Sequence, residues 1–176
     1  MPTPINFGLE FAMSLLVSIL LVKWYAWPYL REKKLSEALL LLLSPFLVRY
    51  LGLMSLVPGV VEPGVTRNAF ALYQAYGDFV AFVLAFVAFI LVRFQKRGAL
   101  AAVWVANVFG TVEFLNSVIR GGVFGTGGSI GAFWYIPVAY VPLGLVAHGC
   151  IFVLLVTRSQ EYATAPRGRA ILSEGR

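Results

Sequence analysis

Five apolar stretches take up most of this chain, each about as long as the roughly 20 helical residues needed to cross the hydrocarbon of a bilayer. They run approximately from Asn6 to Tyr29, Leu35 to Val57, Asn68 to Val92, Ala99 to Ile119, and Gly131 to Thr157. The stretches are continuous and rich in Leu and Ala. They lack the strict alternation of membrane strands, so helices are expected. The chain is 60% hydrophobic and 12% charged, with a mean hydropathy of +0.83. That balance leaves too few polar side chains to wet the surface of a soluble fold. A length of 176 residues allows one domain. The expected architecture is therefore all-α: an integral membrane bundle of five transmembrane helices over residues 1–157, with a basic, disordered cytoplasmic tail over 158–176.

Charge placement gives the expected orientation. Lys23, Arg31, Lys33, Lys34, Arg93, Lys96, Arg97 and the basic residues of the tail fall on one side of the five stretches. Only Arg67 and Arg120 fall on the other, and Arg49 lies within a stretch. The positive-inside rule then puts the N-terminus outside and the C-terminus in the cytoplasm, as in a multi-pass protein of a bacterial inner membrane or its equivalent. The first stretch is not read as a signal peptide, because Met1 to Gly8 carries no Lys or Arg and the basic residues come afterwards. The net charge of +6 is accounted for by orientation, so nucleic acid is not an expected partner. The expected partners are the lipid bilayer, a small solute and further copies of the chain. Aromatic residues support the boundaries: Trp24, Tyr25, Trp27 and Tyr29 close the first stretch, and Trp134 and Tyr135 open the fifth.

Short, turn-rich connections place successive helices side by side and antiparallel. Pro45 in the second helix, and Pro137 and Pro142 in the fifth, should each kink the helix or free a carbonyl. The segment from Gly121 to Gly131, GGVFGTGGSIG, lacks the spacings of nucleotide-binding loops. It reads as a flexible outer loop able to cover what lies beneath it.

Against this apolar background stand Glu10, Arg49, Asp78 and Glu113. A charge at the centre of a membrane helix costs roughly 2.5–3.5 kcal/mol on insertion scales. At the rise of an α-helix, Arg49 and Glu113 lie roughly 12 Å, and Asp78 roughly 15 Å, below the outer ends of their helices, with Glu10 shallower at roughly 6 Å. Helical spacing puts Ala102, Ala106, Gly110, Glu113, Ser117 and Arg120 on one stripe. It puts Ala71, Gln74, Asp78, Ala81 and Ala85 on another. Small residues on such stripes mark faces that meet other helices. Asn6, Glu10 and Ser14 share a face, as do Pro45, Arg49 and Gly52, and these faces are expected to converge.

The structural reading of these residues is an ion pair that pins the bundle. The functional reading starts from charge: one buried cation faces two or three acids. Arg120 could balance the excess from the rim; otherwise a proton, a cation or water must complete the site. Asn116 and several tyrosines are candidate donors nearby, and Asn107 and His148 are secondary candidates nearer the cytoplasmic side. A single histidine excludes bis-histidine haem within one chain, and a lone Cys150 excludes an intrachain disulfide and a His/Cys zinc site, so no cofactor or metal is expected.

These residues suit an outward polar cavity that binds or transports a small polar or cationic solute. Two other classes fit the same residues. An intramembrane enzyme could use the carboxylates as general acid and base on a lipid-soluble substrate. An accessory or scaffold subunit would use them only to specify packing.

Overall fold

The computed structural model describes residues 4–60, 69–123 and 131–164. Among these residues the chain is helical apart from short turns, and five helices are long and apolar enough to cross a membrane. Most of the expected outer loop before Arg67, the centre of the glycine-rich segment and the end of the basic tail lie outside the described residues.

Helix α1 joins Pro4–Leu21, a wide-turned π segment Val22–Ala26, and Trp27–Glu32. Helix α2 joins Leu35–Leu43 to a 3₁₀ segment Ser44–Leu56. Helices α3 (Ala69–Arg93) and α4 (Ala99–Val123) are regular throughout. A short 3₁₀ turn, Gly131–Trp134, leads into α5, which joins a π segment Ile136–Tyr140 to Val141–Thr164. Helix α5 thus continues past Thr157, and the first residues assigned to a disordered tail, 158–164, are helical.

Prolines explain the irregular segments. Pro45 has no N–H to offer the Leu41 carbonyl, and Ser44 Oγ donates to that carbonyl instead, at 2.8 Å. From there α2 tightens to three residues per turn for longer than the three or four residues usual in this geometry. Side chains three apart eclipse one another, so Phe46, Arg49, Gly52 and Ser55 form one straight buried edge. The π segments each precede a proline, Pro28 in α1 and Pro142 in α5. A proline ring crowds the carbonyl one turn back, and a widened turn takes up that crowding. The freed geometry near Pro45 is used: Tyr140 of α5 donates its hydroxyl to the Pro45 carbonyl at 2.7 Å.

Helix α5 is central and packs on α1, α2 and α4, while α3 packs on α2 and α4. Leu39, Leu43 and Phe46 of α2 meet Val92, Val103, Phe114, Ile151 and Leu154 in one apolar core. Alanines at 71, 75, 81, 85 and 88 keep the inner face of α3 slim and let it lie close to its neighbours. Helix α1 is peripheral, with 6% of its most apolar window buried against 56% for α5. Its far end is tied down by Arg158 of α5, which donates to the carbonyls of Leu30 at 3.4 Å and Lys33 at 2.7 Å.

Candidate functional site

Where the straight edge of α2 faces the alanine-lined faces of α3 and α4, Arg49, Asp78 and Glu113 come into direct contact. Their side chains are 1%, 6% and 3% exposed, so water does little to screen them. Arg49 Nε and Nη2 both donate to Asp78 Oδ1, at 2.9 and 2.7 Å. Nη2 also donates to Glu113 Oε2, and Nη1 donates to the Gly110 carbonyl at 3.3 Å. The guanidinium lies 3.8 Å over the ring of Phe114, an aromatic face that attracts a cation.

The outer carboxylate oxygens have their own partners. Gln74 Nε2, one helical turn before Asp78, donates to Asp78 Oδ2 at 3.0 Å and to Glu113 Oε1 at 3.2 Å. Ser117 Oγ donates to Glu113 Oε1 at 2.7 Å. Close approach depends on Gly52: a Cβ there would collide with the Asp78 carboxylate. Formal charge does not balance. One guanidinium meets two carboxylates, and among the described side chains no second cation pairs with either acid. Gln74 Oε1 is buried and accepts no hydrogen bond among the described residues.

The expected convergence therefore holds for Arg49, Asp78 and Glu113 and fails for Glu10. Glu10 is exposed on α1 and accepts a hydrogen bond from Trp134 Nε1 at 2.6 Å. It misses the cluster because α1 touches neither α3 nor α4 closely enough to share their interior. Asn116 stands outside the cluster and donates to the Tyr73 hydroxyl at 2.6 Å, linking α4 to α3. The backbone of Arg120 is the last turn of α4, and its side chain lies outside the described residues. Asn107 and His148 are joined to each other, with His148 Nδ1 2.7 Å from Asn107 Oδ1. His148 stacks on Phe46 with ring centroids 4.1 Å apart.

The expected polar cavity takes a different form. The three charges pair directly, and the space beside Arg49 lies on its His148 side, walled largely by apolar side chains. That space has a volume of about 10 Å³, about what one water molecule needs. Gln74, Ser117 and Phe114 complete the cluster's partners. Gln74 and Ser117 were visible in the sequence as members of the two stripes, but nothing there distinguished them from packing residues. Among the described residues no three His, Cys, Asp or Glu side chains are placed to hold a metal ion.

No curated protein and no solved structure matches the chain. A family model covering residues 6–156 does match, and the chain belongs to that family, described as a domain of unknown function (DUF8737).

Proposed function

We propose that this chain is a multi-pass membrane protein, N-terminus outside and C-terminus cytoplasmic, that binds one small monovalent cation at the Asp78–Glu113 pair. The proton is the smallest such solute and the one the site suits best. The observation that carries this reading is the single guanidinium set between two buried carboxylates. A net negative charge in an apolar interior is costly, and one proton or one monovalent cation would neutralise it. Arg49 touches both carboxylates directly, which favours a proton over any larger solute. Exposed apolar side chains on every helix, such as Leu9, Leu41, Phe86, Val112 and Val156, support a lipid surrounding. Lys and Arg placement supports the orientation.

Infrared difference spectroscopy of the protein in nanodiscs, stepped between acid and alkaline pH, tests the site. A protonated-carboxyl band that titrates and disappears in Glu113→Gln or Asp78→Asn is expected. Proton flux into proteoliposomes under an imposed potential then separates binding from transport. Absence of any such band, together with a melting temperature indifferent to Na⁺ and K⁺, would sink the reading and leave Arg120 as the balancing charge. Orientation is tested with single cysteines near either terminus on a Cys150→Ala background, using a membrane-impermeant maleimide on intact cells.

A second reading has its own support. Both acids already receive hydrogen bonds from Arg49, which suits a clamp that holds α2, α3 and α4 in register. Such a clamp would serve a scaffold subunit and would show no titrating carboxyl.

A further inference from the structure

Gly110 of α4 lets two polar side chains press against the helix backbone at once. A Cβ at this position would lie 2.8 Å from His148 Nε2 and 3.1 Å from Arg49 Nη1. This contact borders the water-sized space, which Arg49, Asn107, Gly110 and His148 line together with Leu43, Phe46 and three alanines.

The hydrogen-bonding character of the two walls is complementary. Asn107 Nδ2 donates to the His148 carbonyl at 3.2 Å, which fixes the amide and turns its Oδ1 toward His148 Nδ1. Oδ1 can only accept, so Nδ1 carries the hydrogen. In the neutral imidazole Nε2 is then an acceptor. His148 is 3% exposed, and its Nε2 has no hydrogen-bond partner among the described residues. Such a buried, unmatched acceptor is destabilising. On the facing wall, Arg49 Nη1 carries two N–H groups and gives one to the Gly110 carbonyl.

We infer that the space beside Gly110, between Arg49 and His148, is a binding site for one water molecule. This water accepts from Arg49 Nη1 and donates to His148 Nε2. It joins the carboxylate cluster to the His148–Asn107 pair in one continuous run of hydrogen bonds: Ser117, Glu113, Arg49, water, His148, Asn107. Cation binding is not required for this site, which stands on the geometry around Gly110 alone. Its occupant is defined by size and chemistry: a neutral molecule no larger than water that both donates and accepts.

His148 is the only histidine in the chain, so ¹⁵N-histidine labelling yields one imidazole and an unambiguous spectrum. Nuclear magnetic resonance of the labelled protein in nanodiscs is expected to show a protonated Nδ1. It should also show an unprotonated Nε2 at a hydrogen-bonded shift, with magnetisation transfer from water. A proton on Nε2, or a free Nε2 without water contact, overturns the site. Gly110→Ala drives a methyl group against the His148 ring and Arg49, and is expected to move Nε2 toward its free shift and abolish the water transfer. Unchanged water transfer in that variant also overturns the site. The wild-type spectrum decides the matter alone should Gly110→Ala fail to fold.

Discussion

Arg49 grips Asp78 through a single carboxylate oxygen: Nε and Nη2 converge on Oδ1 at 2.9 and 2.7 Å and leave Oδ2 to Gln74. The second N–H of Nη2 remains for Glu113. The guanidinium therefore serves two acids on two helices, which a point-charge ammonium could not do with the same geometry. Removing it strands both carboxylates. Breaking a buried pair by deleting one partner typically costs about 3–5 kcal/mol. Arg49→Met is expected to lower the thermal midpoint in detergent sharply, with Arg49→Lys intermediate. The triple variant Arg49→Met, Asp78→Leu, Glu113→Gln should recover most of the loss, because no charge is left uncompensated. A single Arg49→Met variant as stable as wild type would contradict the burial of the cluster.

The two acids are not equivalent. Asp78 takes two hydrogen bonds from Arg49, whereas Glu113 takes one and leans on Ser117 and Gln74. Glu113→Gln removes the excess negative charge and keeps the Arg49–Asp78 pair. Asp78→Asn removes the anion that takes two of the guanidinium's hydrogen bonds. The expected order of thermal stability in detergent places Glu113→Gln near wild type and Asp78→Asn below it by about 1–3 kcal/mol. The reverse order would show that Glu113, not Asp78, is the principal counter-ion of Arg49.

Much of this arrangement was legible in the residues. Continuous apolar stretches specify five helices because backbone groups in an apolar medium must be satisfied within the helix. The meeting of Asp78 and Glu113 followed from small residues at helical spacing on their two helices. What escaped was the period of α2. Phe46, Arg49, Gly52 and Ser55 recur every three residues, and only the 3₁₀ geometry after Pro45 puts all four on one edge. Glu10 escaped for another reason. Its face on α1 resembles an interior face, but sequence spacing within one helix carries no information about which helices that helix touches. The open cavity was also beyond sequence reasoning, since whether opposite charges meet directly or across water depends on gaps of a few ångströms.

Gly52 sets how closely α2 can approach Asp78, since a methyl group there would overlap the carboxylate. Neither partner has room to move. Gly52 is part of the buried edge of α2, and Asp78 is held by Arg49 and Gln74. Overpacking of this kind costs about 1–3 kcal/mol. Gly52→Ala is expected to destabilise the protein by that amount and to perturb the cluster. Gly8→Ala provides the control, because nothing lies within 4 Å of a Cβ at position 8 and Ala favours helix. Thermal unfolding of the two variants side by side measures the difference; equal stability would place the Asp78 carboxylate elsewhere.

Helix α1 depends on a contact at its far end. Its span is the least buried of the five, and Arg158 of α5 donates to the Leu30 and Lys33 carbonyls where α1 stops. The Leu30 carbonyl also accepts a long 3.3 Å bond from the Lys33 N–H, and the Lys33 carbonyl lies just past the last turn; a cationic side chain is a common way to satisfy carbonyls at a helix end. Arg158 also pairs with Glu161, but the Glu161 side chain is 48% exposed, and exposed pairs contribute about 0–1 kcal/mol. The two interactions can be separated. Arg158→Ala removes both and is expected to raise hydrogen–deuterium exchange over residues 27–34 severalfold, with a small change in global melting. Glu161→Gln removes the exposed pair, keeps a side-chain oxygen for the Leu35 N–H, and should leave exchange in that segment unchanged. If both variants raise exchange equally, the Glu161 carboxylate orients the arginine and the carbonyl contacts are secondary. If neither does, α1 is held by its packing on α5 alone.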